Sequence, residues 1–207
     1  MEALTREELK VLELFRADVP RSYNIMDIKK KLGKGSYDWT FRAAKRLNSM
    51  GILRMESRGG ANYCSIDLGT GLALDYLALL EQMDLPRRFP TKNIQKLISS
   101  IPASYFTFIV TGSYARGDAT KKSDIDVVVI MENKEDAKKA MAVLVNEGEL
   151  MVPKAHVFAF SRSEFLGMLL EKEENYGKQV FRNRLILRGA EAYYMTVREA
   201  MEHGFKG

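Results

Sequence analysis

The sequence predicts an α+β protein of two domains, and three observations lead there. Residues 1–68 read as three short amphipathic helices followed by a β-hairpin. Residues 88–207 alternate apolar strands with helices, the order of a sheet covered by helices. Between these stretches, Gly69-Thr70-Gly71 and Pro86-Arg87-Arg88-Phe89-Pro90 flank an apolar helix, so the boundaries fall at 1–68, 69–87 and 88–207.

Taken in order, Thr5-Arg6-Glu7-Glu8 is a capping box, and Leu9, Leu12 and Phe15 follow at helical spacing to about Arg16. Pro20 breaks the chain. Asn24 caps a short helix with Ile25, Ile28 and Leu32 on one face, ended by Gly33. Ser36 caps a third helix that turns Phe41, Ala44 and Leu47 inward and Asp38, Arg42, Lys45 and Ser49 outward, until Met50-Gly51 stops it. Strands are expected at 52–57 and 62–66, joined across 58–61. The helix at 72–83 carries five leucines and few charges. It is too short for a bilayer, and packing between domains or against a second subunit, giving a homodimer, explains it. Thr91 is expected to cap a helix through Ile94, Leu97 and Ile98, and Pro102 leads into a strand at 105–110. A helix at 134–146, a strand at 155–160, a helix beginning at Ser163 and a closing segment through Leu185-Ile186-Leu187-Arg188-Gly189, Tyr193 and Tyr194 complete the reading. The run Glu171–Glu174 reads as a solvated helix face.

Composition narrows the function. With 46% hydrophobic and 29% charged residues, the chain is of ordinary globular type. It has no apolar stretch long enough for a membrane span and no signal-peptide pattern at its start, so a cytoplasmic location is expected. Cys64 is the sole cysteine, which excludes an internal disulfide. One cysteine and two histidines exclude a Cys/His zinc site. The net charge of +5 is uneven: residues 1–68 hold 13 Lys/Arg against 9 Asp/Glu, and residues 21–58 alone hold 10 against 3. Such an excess points to a polyanion partner for the N-terminal part, with a solvated basic face as the alternative.

The chemistry concentrates in Thr111-Gly112-Ser113-Tyr114-Ala115-Arg116-Gly117 and in Ser123-Asp124-Ile125-Asp126, which opens the apolar run 127–130. Strand side chains alternate, so Asp124 and Asp126 share a face. Two acids on an oily strand repel and lose hydration, and a divalent cation between them relieves both effects. Gly112 lets backbone amides approach a ligand, and Ser113 at the start of the next helix lies where phosphate binds.

Gly112-Ser113, ten further residues, then Asp124-x-Asp126 resembles the signature of polymerase-beta-type nucleotidyltransferases, over roughly residues 88–200. The likeness is to the small prokaryotic minimal members, which include antitoxins that transfer AMP to a partner protein. It implies a mixed-sheet α/β nucleotidyltransferase (polymerase-beta-like) domain. It further implies two Mg2+ ions (Mn2+ as an alternative) held by Asp124 and Asp126 as catalytic and metal-binding residues, and a nucleoside triphosphate contacted by Gly112, Ser113, Arg116 and Ser123. Arg116 has a second reading, a surface pair with Asp118 or Asp124. Complete members add a third carboxylate on the next strand, where this chain has His156, readable as a metal ligand or base or as an ordinary half-buried strand side chain; Glu147 or Glu149 could supply the missing oxygen, with helix-end solvation as the alternative.

The order of elements in residues 1–68 resembles a winged helix-turn-helix domain. That likeness implies duplex DNA binding through Trp39, Arg42, Lys45 and Arg46 on the third helix, with Arg54 and Arg58 on the wing; a protein-interaction module of the same shape is the alternative. An isolated tryptophan such as Trp39 is also commonly a core or interface residue. The function expected is metal-dependent transfer of a nucleoside monophosphate, AMP foremost, from a triphosphate to a protein or nucleic-acid hydroxyl. The alternative is a DNA-binding regulator, or an antitoxin-like protein working through a protein partner, with a nucleotide-sensing or inactive transferase domain.

Overall fold

The computed structural model describes residues 3–83 and 89–207. The break expected at Pro86 to Pro90 lies, apart from Phe89 and Pro90, outside the described residues. The chain divides into two units, residues 1–80 with 205–207, and residues 81–204.

In the first unit, α1 (Arg6–Ala17) begins with the capping box. The Thr5 hydroxyl accepts from the Glu8 N–H, and the Glu8 carboxylate accepts from the Thr5 N–H. Val11, Leu12 and Phe15 form its buried stripe. A two-residue strand, β1 (Tyr23–Asn24), precedes α2 (Ile25–Lys31), whose N-cap is Asn24. Ser36 caps α3 (Tyr37–Ser49), which buries Thr40, Ala43, Ala44 and Leu47. Phe41, expected inward, is only partly buried and stacks on Tyr37 with centroids 6.3 Å apart. β2 (Leu53–Arg58) and β3 (Ala61–Ile66) form the hairpin, and β1 joins the other edge of β3 in an antiparallel sheet of order β1-β3-β2. α4 (Gly71–Met83) buries Ala73, Leu74, Leu77 and Leu80 and leaves Leu79 and Met83 exposed.

The second unit contains α5 (Thr91–Ser100), β4 (Thr107–Thr111), α6 (Gly112–Arg116), β5 (Ile125–Met131), α7 (Lys134–Glu149), β6 (Ala155–Ser161), α8 (Arg162–Leu170), α9 (Tyr176–Arg182), β7 (Leu185–Arg188) and α10 (Ala190–Glu202). The sheet is mixed, with order β6-β5-β4-β7; β5 and β6 run parallel and the other pairs antiparallel. A parallel pair requires a crossover, and α7 supplies it. Phe108, Val110, Val127 and Val129 share one core with Ile94, Leu97, Ala140 and Leu144 from the helices.

Several boundaries differ from expectation. Thr91 does not cap α5: Pro90 holds the cap position, and the Thr91 hydroxyl donates to the Phe89 carbonyl. Tyr105 lies outside β4 and is exposed. α7 continues through Gly148 to Glu149; a side chain at Gly148 would come within 2.5 Å of the Ala155 carbonyl, so only glycine lets β6 lie that close. α8 is capped by Ser161, in a capping box with Glu164, rather than starting at Ser163. α9 had no counterpart in the sequence reading; Asn175 caps it just past the charged run.

A buried polar group stands apart from the apolar core of this unit. The Tyr194 hydroxyl donates to the Glu81 carboxylate, and Arg184 Nε lies 3.9 Å from the same carboxylate oxygen. The Arg184 guanidinium rests over the rings of Phe181, Tyr193 and Tyr194 at 5.1, 5.3 and 5.8 Å.

Candidate active site

Antiparallel pairing of β4 with β5 sets Thr111 opposite Asp126, and parallel pairing of β5 with β6 sets His156 beside Asp126. Asp124 lies one residue before β5, two positions from Asp126. The single imidazole of His156 reaches both acids: Nε2 is 3.6 Å from Asp124 Oδ2, and Nδ1 is 3.9 Å from Asp126 Oδ1. The two carboxylates therefore share one face. Neither separation is a hydrogen bond. All three side chains are partly open to solvent.

Gly112 follows β4 directly with φ +65°, and a Cβ there would fall 2.0 Å from Asp126 Oδ2. Left-handed backbone and close approach both require glycine. α6 is a single turn that ends at Gly117. Ser113 is partly buried, and its carbonyl accepts from the Asp118 N–H at 3.1 Å. Ser123 shapes the turn that delivers Asp124: its hydroxyl accepts from the Thr120 N–H at 2.9 Å, and its own N–H donates to the Thr120 carbonyl at 3.1 Å. Arg116 Nε donates to Asp118 Oδ2 at 3.2 Å, an exposed pair worth ~1 kcal/mol or less, while the same residue lines the cavity described below.

Neither glutamate considered as a third carboxylate stands with the aspartates as an unengaged group. Glu147 pairs with Lys96 on α5 at 3.1 Å. Glu149 pairs with Lys154 at 2.7 Å; this hydrogen bond and charge, with a smaller contribution from His156, hold its carboxyl below the usual range. Among the described residues, no group of three or more His, Cys, Asp or Glu side chains is disposed to hold a metal ion. Asp124 and Asp126 nevertheless offer hard oxygen donors on one face, a donor set suited to a divalent cation, with the His156 imidazole beside both.

A cavity of about 430 Å³ opens beside Asp126. Thr111, Gly112, Arg116 and Asp126 line one side, and Phe158, Tyr176, Gln179 and Asn183 the other. The Tyr176 ring lies 5.1 Å from Phe158 and 6.3 Å from Phe160. Burial, and then the Asp126 charge, push the Tyr176 phenol up to about 12, so it stays neutral at physiological pH. The Thr111 hydroxyl donates to the Asn183 carbonyl at 2.5 Å, tying this wall to the end of β4. Sequence reasoning missed all four residues of that second wall. The available signal was Asn175 before a helical spacing of Tyr176, Val180 and Asn183, and the acidic run ahead of it obscured the helix start.

The basic residues of the first unit are dispersed among ion pairs. Arg42 pairs with Asp38 at 2.8 Å, Arg54 with Asp67 at 2.8 Å and Arg58 with Glu56 at 2.6 Å; Lys45 is exposed. Trp39 is partly buried, with Lys34 Nζ 4.9 Å above its ring. Arg46 is drawn away from the outer face of α3. Its guanidinium bonds both oxygens of the buried Glu8 carboxylate at 2.6 Å and so joins α3 to α1.

No helix among the described residues is long and apolar enough to cross a membrane. No match to the chain was found among curated proteins or among solved structures. Nucleotidyltransferase domains generally use divalent metals, which agrees with the oxygen donors at 124 and 126. Residues 94–183, which take in the Gly112 turn, both aspartates and the whole lining of the cavity, match the family described as nucleotidyltransferase domain, and this part of the chain is accordingly similar to domains that carry out nucleotidyl transfer.

Proposed function

We propose that the second unit transfers a nucleoside monophosphate from a nucleoside triphosphate to a hydroxyl group on a protein or nucleic acid. The observation that carries this reading is the placement of Asp124 and Asp126 on one face, with Asp126 lining the cavity and the Gly112 backbone pressed against it. Asp124 and Asp126 would hold the divalent metal, and the bound metal supplies positive charge that offsets the triphosphate. Arg116 adds charge from the cavity wall, and Gly112, lacking a Cβ, lets the Asp126 carboxylate lie directly against the turn. An acceptor hydroxyl oxygen bonds the α-phosphorus as the bond to the departing pyrophosphate breaks, and the hydroxyl proton is lost to the open, solvated site. Incubation with labelled triphosphates and Mg2+ should label an acceptor, and Asp124→Asn with Asp126→Asn should abolish the label; labelling that survives the double variant would overturn the reading.

The first unit we read as a winged helix-turn-helix module that binds duplex DNA. Three helices ahead of a hairpin, with Arg42 and Lys45 exposed on α3 and Arg54 and Arg58 on β2, support this. The ion pairs of Arg42 and Arg58 are solvent-exposed and can be exchanged for phosphate at little expense. One observation favours a second reading for the whole chain: His156 stands where a third oxygen ligand would complete the metal site. A regulator that senses nucleotide without turnover would bind ATP with Mg2+ yet label no acceptor.

A further inference from the structure

The mixed sheet of the second unit has two edges, and they are finished differently. At β7 the Gln82 carboxamide donates to the Ile186 and Leu187 carbonyls at 3.3 and 3.2 Å. At β6 the Ile125 N–H donates to the Lys154 carbonyl. In this parallel ladder the even-numbered residues of β6 therefore turn their backbone groups to β5, and Ala155, Val157 and Ala159 turn theirs outward. Gly148 lies against the Ala155 carbonyl. Among the described residues, the outward groups of Val157 and Ala159 have no hydrogen-bond partner. An open groove of about 390 Å³ runs beside Ala159, with Ala137, Lys138, Met141 and Ala142 of α7 along it. The strand itself, Ala-His-Val-Phe-Ala-Phe-Ser, has none of the lysines, acids or prolines that blunt an exposed edge.

We propose that β6 pairs with β6 of a second copy of this chain, antiparallel about a two-fold axis at Phe158, so that the two four-stranded sheets become one. The interface uses no residue of α4. Centred on Phe158, Val157 faces Ala159 of the second copy and Ala159 faces Val157, and each such pair exchanges two backbone hydrogen bonds. Phe158 meets its own counterpart in the closer, non-hydrogen-bonded kind of pair, which covers a residue otherwise 43% exposed.

The flank of α7 along this edge is self-complementary under the same axis. Lys134, Lys138, Met141, Ala142, Val145 and Glu149 form one stripe at helical spacing, basic at its start, apolar in the middle and acidic at its end. Gly148 sits against Ala155, and Phe158 lies about 10 Å further along β6 at about 3.3 Å per residue. The same distance back along α7, at about 1.5 Å per residue, ends between Met141 and Ala142. One axis therefore serves both elements. It sets Met141 against Ala142 of the second copy, small enough for close approach, and Lys134 against Glu149. In the single chain these two charges have exposed partners, Glu164 and Lys154, which they exchange at little cost. A strand from another protein would satisfy the backbone of β6 but would not match this order of charge.

Sedimentation equilibrium of the full chain across the micromolar range tests this. The wild type should be a dimer. Ala142→Glu, on the exposed flank, sets two carboxylates near the axis and should raise the dissociation constant at least tenfold. Ala159→Pro removes an outward N–H and none of the ladder to β5, and should do the same. Lys134→Glu should weaken the dimer several-fold, and Lys134→Glu with Glu149→Lys should restore it, because both copies then carry the reversed pair. Circular dichroism checks the fold of each variant, and Ala142→Glu carries the test should Ala159→Pro unsettle β6. A wild type that stays monomeric would overturn the proposal and leave the edge to a strand from another protein. A dimer that Ala142→Glu leaves unchanged would overturn it too, by placing the interface on another face.

Discussion

Gly112 and Asp126 are fitted to one another: the Asp126 carboxylate occupies the position that any side chain at 112 would need, 2.0 Å from a Cβ there. Because the backbone at Gly112 also has φ +65°, two independent constraints converge on one residue. The strained conformation alone would cost an L-residue about 1–2 kcal/mol.

Gly112→Ala is therefore expected to swing the Asp126 carboxylate off its present position. A displacement of about 1 Å at a reacting centre lowers rates by about 10²-fold, so acceptor labelling should fall by that order while the chain stays folded. Labelling rates and the far-ultraviolet circular dichroism spectrum of the variant, measured together, check both parts.

His156 stands beside both aspartates, at 3.6 and 3.9 Å. Replacing it with Asp places a third carboxylate next to the pair. Without a divalent ion the three acids repel, so His156→Asp should melt below the wild type; with Mg2+ it should show a larger rise in melting temperature than the wild type does. Melting curves with and without Mg2+ give the answer, and a smaller Mg2+ effect in the variant would count against a metal site at these residues.

The first unit depends on Glu8 and Arg46, whose side chains are 9% and 32% exposed. Arg46→Ala leaves the Glu8 carboxylate with only its capping partners and should cost about 1.5–3 kcal/mol, the range of a charge-assisted hydrogen bond. Burial pushes the Glu8 carboxyl up, but the Arg46 guanidinium and the N–H and hydroxyl of Thr5 outweigh it, and the group sits below its ordinary value of 4.5. Hydrogen bonds from Lys34 and Lys10 bring Glu7 down to about 2. Carboxyls depressed in the folded state stabilise it fully above the unfolded pKa and lose that contribution as pH falls through the folded one. Unfolding followed by the fluorescence of Trp39, the sole tryptophan, should thus be insensitive to pH between about 7 and 5 and ease progressively below about 4.5. In Arg46→Ala the acid-sensitive part should shrink.

Arg42 and Lys45 lie on the open face of α3, whereas Arg46 is engaged with Glu8. If the first unit binds duplex DNA, Arg42→Ala with Lys45→Ala should leave the Trp39-detected melt unchanged and reduce the dependence of log K on log salt by about 2. Fluorescence anisotropy with labelled duplex across a salt series measures that slope.

In the second unit, Glu81 is fully buried with Tyr194 and Arg184. Removing one member of a buried charged pair costs about 3–5 kcal/mol, so Glu81→Ala should unfold or nearly unfold this unit, and Tyr194→Phe, which keeps both charges, should cost about 1–3 kcal/mol. Urea titrations monitored by circular dichroism distinguish the two.

Much of this was legible because it is local. The Thr5–Glu8 capping box, the Asn24 and Ser36 caps and the hairpin between β2 and β3 depend on residues a few positions apart, and each was read in place. Boundaries failed where a distant neighbour set them. The helix expected at 134–146 runs on through Gly148 to Glu149, and Gly148 is where β6 lies close against it. Arg46, named as a DNA contact by the winged-helix likeness, is bonded by Glu8, thirty-eight positions away.

The sequence by itself determined the alternation that brings Asp124 and Asp126 to one face and the glycine that can lie against a carboxylate, since strand periodicity and the steric demand of a Cβ are properties of the chain alone. Only the tertiary structure decided what stands around them. Parallel pairing of β6 carries His156 to both acids, and α9 brings Tyr176, Gln179 and Asn183 to the far wall of the cavity from some fifty residues away. No local pattern encodes that meeting, because the register between strands and the seat of a helix are chosen by the packing of the whole core.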